Sequence, residues 1–201
     1  MIAQSLKKAF KPYEKNPNDL NKIVYTAIAT AISQYVTSKM SKCMYLVSGV
    51  TTSGAVTTPF AATCLTPMTP TFIMPPYRVK KAMKGNNGAN AWPELFNQIG
   101  EHMKISYSAW KCAPAIIAFP VVSINTTHFR GIGTAFYGKL QSYDKNVLYN
   151  GKTDTVSMIW NDFESMLEKA IKTTLPIVTP VAGFVGVLPF TGQGTITFAT
   201  L

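Results

Sequence analysis

Three long tracts of this chain contain no Asp, Glu, Lys, Arg or His: residues 43–77, 112–127 and 173–201. They are rich in Thr, Val, Pro and Gly. An exposed strand or loop of a soluble monomer normally carries charge, which discourages pairing with other chains. Bare tracts of this length therefore point to surfaces that other chains cover. The competing reading is a compact β core whose Thr side chains face water. Either way a packed fold is expected. Of the 201 residues 47% are hydrophobic and only 14% are charged, which excludes a disordered chain.

The chain is nevertheless basic, with a formal net charge of +10. Residues 1–91 hold ten Lys and Arg78 against Glu14 and Asp19, whereas residues 92–201 hold seven Lys and Arg130 against seven acids. The sequence thus divides into a basic region over 1–91 and a helix/β region over 92–201, which can still share one domain. Cys43, Cys64 and Cys112 are too few for a disulfide scaffold. The apolar tract from Thr174 to Phe190 is interrupted by Pro176, Pro180, Gly183, Gly186 and Pro189, so no membrane-spanning helix is expected there. The first residues, MIAQSLKKAFKPYEK, lack the apolar core of a signal peptide, and synthesis in the cytoplasm is expected.

Three amphipathic helices are predicted. The first covers 19–42, where Leu20, Ile23, Val24, Ala27, Ile28, Ala31, Ile32 and Tyr35 follow the i, i+3, i+4 pattern of one buried stripe. The second starts at Pro93, a residue suited to a first helical turn, and ends near Lys111. The third runs from Asp154 to Thr173. An uncharged stretch with β character follows each. In the first, Ser53-Gly54 is placed to turn a hairpin. The prolines within these stretches argue for edge strands or extended arms rather than central strands.

Residues 129–136 read FRGIGTAF and residues 190–198 read FTGQGTITF, offset by 61 positions. This echo suggests two copies, over 93–136 and 154–198, of a helix–strand–glycine turn–strand unit; coincidence is the alternative. Neither Gly131-x-Gly133 nor Gly192-x-Gly194 leads into a clear helix, so neither reads as a phosphate loop.

The densest charge cluster is Arg78, Lys80, Lys81 and Lys84, adjoined by Tyr77 and followed by Gly85-Asn86-Asn87-Gly88. It reads as a flexible basic loop able to contact nucleic-acid phosphates or an acidic partner. Lys7, Lys8, Lys11 and Lys15 read as a mobile arm. His102 and His128 stand apart and no two Cys lie within four residues, so no metal set forms. Glu164 and Glu168, near Lys169 and Lys172, read as a solvated helix face. His128 with Ser123 and Asp144 matches no triad motif. No catalytic, cofactor-binding or metal residue is assigned, and no cofactor is expected.

The helix AIATAISQYV, the Thr/Val-rich stretch after it and the closing FTGQGTITF resemble small virion structural proteins of contractile-tailed bacteriophages. The resemblance is best over 19–42 and 154–201, and the basic stretch 78–91 departs from it. It implies a non-enzymatic structural subunit of a tail, baseplate or neck, present in several copies in the virion. Its partners would be other virion proteins and copies of itself, with DNA as a further contact. The fold expected is α+β, with amphipathic helices on small antiparallel sheets. The alternative function is a basic nucleic-acid-binding module. A third reading, a small enzyme, predicts a polar pocket around His102 or His128.

Overall fold

The computed structural model describes residues 1–13, 17–64, 72–108, 111–112, 116–118, 126–143 and 154–198. The fold is α+β. In chain order it runs α1 (Ile2–Phe10), a short 3-10 turn (Lys11–Tyr13), α2 (Pro17–Met40), β1 (Cys43–Ser53), β2 (Val56–Cys64), α3 (Pro76–Met83), α4 (Gly88–Ser108), β3 (Lys111–Cys112), β4 (Ile116–Ala118), α5 (Thr126–Gln141), α6 (Thr155–Thr173), β5 (Ile177–Val185) and β6 (Leu188–Phe198). Two compact units emerge, and neither is a continuous half of the chain. One comprises Met1–Val36, Ile73–Gly100 and Asn125–Ile171, the other Thr37–Phe72, Glu101–Ile124 and Lys172–Leu201. Residues 1–91 and 92–201 each contribute to both.

The first unit is helical. On α2, Ile28, Ala31, Ile32, Tyr35 and Val36 are buried, which is the stripe that the periodicity predicts. On α6 the buried set is Trp160, Phe163, Leu167, Ala170 and Ile171. Phe163 sits amid an aromatic cluster, with ring centroids 4.8 Å from Phe96, 5.1 Å from Trp160 and 5.5 Å from Phe136. Burying each such ring stabilises by roughly 1.5–3 kcal/mol, and well-oriented pairs add about 0.5–1.5 kcal/mol.

Helices α4 and α5 cross antiparallel through glycines. A methyl group at Gly100 would fall 2.9 Å from the Phe129 ring, one at Gly133 would fall 2.6 Å from Pro93 Cα, and one at Gly88 would fall 2.6 Å from the Tyr137 ring. Backbone and rings occupy the space that a side chain would need.

The second unit is built on one six-stranded antiparallel sheet of order β2-β1-β6-β5-β4-β3. Side chains alternate across it. Rows such as Tyr45–Ile196–Ile177 and Val47–Gly194–Thr179 lie side by side on β1, β6 and β5 and are buried. Gly49 and Gly192 face each other on β1 and β6, and a methyl group on either would fall 2.2 Å from the other strand's backbone. The Phe190 ring closes over the pair and meets Phe60 edge-on at 5.6 Å.

Several expectations are corrected. The echo at 129–136 and 190–198 is no structural repeat: FRGIGTAF lies within α5, whereas FTGQGTITF lies within β6. The spacing explains the difference. Phe129, Ile132, Gly133 and Phe136 recur at i, i+3, i+4, i+7 and share a helix face, while Phe190, Gly192, Gly194 and Ile196 alternate. Pro93 does not open α4 but lies inside it, five residues after Gly88. The supposed arm carrying Lys7 and Lys8 is α1, anchored because Ile2, Ala3 and Leu6 are buried; Lys15 lies outside the described residues.

The described parts of the uncharged tracts are not free arms either. Strands β1 and β6 pair with each other from Cys43↔Phe198 to Thr51↔Phe190 and so form the middle of the sheet. Pro59 does fall on an edge strand, β2. Pro189 is accommodated in β6 because the β1 ladder begins at Phe190. Pro180 lies on the part of β5 that β4 does not reach, since β4 pairs only with residues 182–184. The hairpin turn predicted at Ser53-Gly54 falls one residue later, at Gly54-Ala55 between the paired Ser53 and Val56, with Gly54 at φ +58°.

Candidate functional site

The basic cluster is a helix, not a loop. Pro75-Pro76 open α3, Val79 and Ala82 are buried beneath it, and Lys84 follows its last turn. Gly85, at φ +81°, then reverses the chain toward α4. Tyr77, Lys80, Lys81 and Lys84 fall at i, i+3, i+4 and i+7, which places all four on one exposed face. No carboxylate among the described residues pairs with Lys80, Lys81 or Lys84.

Arg78 is separated from the three lysines. It is half-buried, and its Nη1 donates to Gln98 Oε1 at 2.9 Å. Gln98 is itself buried and donates to Glu94 Oε1 at 2.7 Å. The Arg78 Nε donates to Tyr77 Oη at 3.3 Å, and its guanidinium carbon lies 5.9 Å from the Tyr77 ring centroid. Arg78 therefore holds Tyr77 in place instead of presenting its own charge outward.

Beside this face lies a surface cavity of about 610 Å³, lined by Val24, Tyr25 and Thr26 from α2 and by Pro76, Tyr77, Lys80 and Lys84. Two tyrosines and two lysines meet there, and no acid is among the described residues of the lining. The composition of 78–84 identifies the basic residues. Tyr25 and the cavity arise only from the packing of α3 on α2, which no local pattern encodes.

The second surface belongs to the sheet. Strands β1, β2, β5 and β6 contain no charged residue. On the face opposite the buried rows, Val50, Val178 and Phe184 are exposed, the last two by 56% and 52%. The β1–β2 and β5–β6 turns lie at the same end of the sheet, because Thr51 pairs with Phe190. That end exposes Val56 by 64% and Val187 by 89%.

Most of the described carboxylates have structural partners. Glu164 Oε2 accepts hydrogen bonds from Met1 N and Ile2 N, both at 2.9 Å, and so caps the start of α1. The Tyr35 hydroxyl lies 3.2 Å from both the Glu164 carbonyl oxygen and Glu168 Oε2. Burial and these two carboxylates push the Tyr35 phenol well above its ordinary range. Glu164 and Glu168 are thus half-buried connectors, not the solvated face expected. Asp162 accepts from Lys139 Nζ at 2.6 Å and from the Tyr143 hydroxyl. Partial burial alone would raise Asp162, but these two bonds outweigh it and hold the carboxyl low. Asp154 accepts from Ser157 N at 3.1 Å, capping α6, and pairs with Lys7.

His102 packs edge-on against Phe72 at 5.9 Å. Neither His102 nor His128 lines the cavity beside α3. Ser123 and Asp144 lie outside the described residues. Among the described residues no group of three His, Cys, Asp or Glu is placed to hold a metal ion, and no helix is long and apolar enough to cross a membrane. No family model, no curated protein and no solved structure matches the chain.

Proposed function

We propose that this chain is a non-enzymatic structural subunit of a bacteriophage virion, in the tail, baseplate or neck, that packs against copies of itself and other virion proteins. The observation that carries the reading is the uncharged part of the sheet, strands β1, β2, β5 and β6. Its outer face and paired hairpin tips hold Val56, Val178, Phe184 and Val187 in water, with no charge on β1, β2, β5 or β6 to oppose association. Burying exposed apolar surface against a neighbour stabilises by about 25 cal/mol per Å², and these residues supply such surface. Among the described residues no strand pairs with the outer side of β2, whose one proline is Pro59.

Two measurements test this reading. Light scattering on the purified chain should show multimers, and Phe184→Glu with Val187→Glu should disperse them without loss of folding, since both side chains are exposed. Mass spectrometry of purified particles of the encoding phage should detect the chain. A parent protein that stays monomeric at every accessible concentration, or particles that lack it, would overturn the reading. The alternative, a basic nucleic-acid-binding module, is favoured by one observation, the lysine and tyrosine face of α3.

A further inference from the structure

We propose that the α3 face binds single-stranded nucleic acid, with a base stacked on Tyr77 and flanking phosphates held by Lys80 and Lys84. The inference stands on the helical unit alone and does not depend on the virion reading. Tyr77 is 65% exposed, so its ring contributes little to the core. It is nonetheless held in one orientation by Arg78, which Gln98 and Glu94 hold in turn. An exposed aromatic ring fixed in advance loses little conformational freedom when a base stacks on it.

Lys80 and Lys84 stand one and two turns along the same face. Without a carboxylate partner among the described residues, their charge is available to displace counterions from phosphates. The adjoining cavity of about 610 Å³ brings Tyr25 in as a second ring and falls in the size range of small-ligand clefts. A duplex keeps its bases stacked inward and would leave both rings idle. An acidic peptide such as poly-Glu would use the lysines but offers no aromatic ring to the tyrosines. Unstacked bases joined by phosphates satisfy both.

The test compares three fluorescent probes: oligothymidylate, an abasic strand of the same length and charge, and a poly-Glu peptide of matched charge. Oligothymidylate should bind at least about tenfold tighter than the abasic strand. Tyr77→Ala should remove about tenfold of affinity and leave the salt dependence unchanged, while Tyr77→Phe should retain binding. Lys80→Ala with Lys84→Ala should reduce the slope of log affinity against log salt by about 1.4, since each phosphate neutralised on a single strand contributes about 0.7. The charge-matched pair Lys8→Ala with Lys11→Ala should change affinity less than twofold. Equal binding of the thymidine and abasic strands would overturn the proposal. So would preference for the peptide, an unaffected Tyr77→Ala variant, or equal losses from the two lysine pairs. These side chains are exposed, so circular dichroism and the thermal midpoint should match the parent throughout.

Discussion

At the scale of single residues, two glycines two positions apart have opposite roles. Gly131 and Gly133 both lie in α5, but a methyl group at Gly131 meets nothing within 4 Å, whereas at Gly133 it strikes the backbone of α4. Gly131→Ala should therefore stabilise by up to about 1 kcal/mol through helix propensity, while Gly133→Ala should destabilise by about 1–2 kcal/mol despite the same gain. Urea unfolding of the two variants reads both signs. Asp162 makes an acid-side prediction. Its carboxyl is held low by Lys139 and Tyr143, so its stabilisation is present above the ordinary carboxylate range and lost as pH falls through the lowered folded-state value. Because the pair is partly exposed, the gap between parent and Asp162→Asn should be no more than about 1 kcal/mol at neutral pH and should close in acid. Cys43 points the other way. Burial pushes its thiol up to about 11, opposed in part by a contact with the Tyr107 hydroxyl. Its stabilising effect is complete below the ordinary thiol value and declines as pH rises toward 11. Cys43 should resist thiol reagents at neutral pH until the chain unfolds, and Cys43→Ala should flatten the alkaline loss of stability.

At the scale of elements, the sequence was most readable where one periodicity ran long. Helices α2 and α6 lie within two residues of their predicted bounds, because stripes such as Ile28, Ala31, Ile32 and Tyr35 admit only one reading. The β1–β2 hairpin was legible from Ser53-Gly54 between Thr- and Val-rich runs. Short elements were not. Helix α3 has only Val79 and Ala82 to bury, too few for a periodic signal, and its lysines suggested a loop until the i, i+3, i+4, i+7 spacing from Tyr77 was set on a helix. Helix α5 was obscured by its glycines, which lower helix propensity but permit the close crossing with α4. The uncharged tracts that hold β1 and β6 read as edge strands or arms because they lack charge and carry prolines such as Pro59 and Pro189; which strand pairs with which is decided by long-range packing. Of the candidate site, the lysines were legible and the cavity was not. The facing pair Gly49 and Gly192 gives an element-scale expectation. Gly192→Ala should weaken the β1–β6 ladder by about 1–3 kcal/mol, seen as earlier exchange of β1 amides.

At the scale of the whole molecule, charge and bareness are distributed between the two units. Most Lys, Arg, Asp and Glu residues fall in the helical unit, while the four long strands of the other have none. The two proposed surfaces should therefore respond oppositely to salt. Self-association through the sheet should persist or tighten when ionic strength is raised, whereas nucleic-acid binding on α3 should weaken steeply. Sedimentation and oligonucleotide titration at low and high salt would separate them, and association that dissolves in salt would contradict an apolar contact. The aromatic cluster has an optical consequence. Trp92 and Trp160 lie 5.9 Å apart at 70°, close and steep enough for their indole excitations to couple. Such coupling produces paired bands of opposite sign in circular dichroism. The helical unit thus carries its own spectroscopic marker, by which its unfolding can be followed apart from that of the sheet.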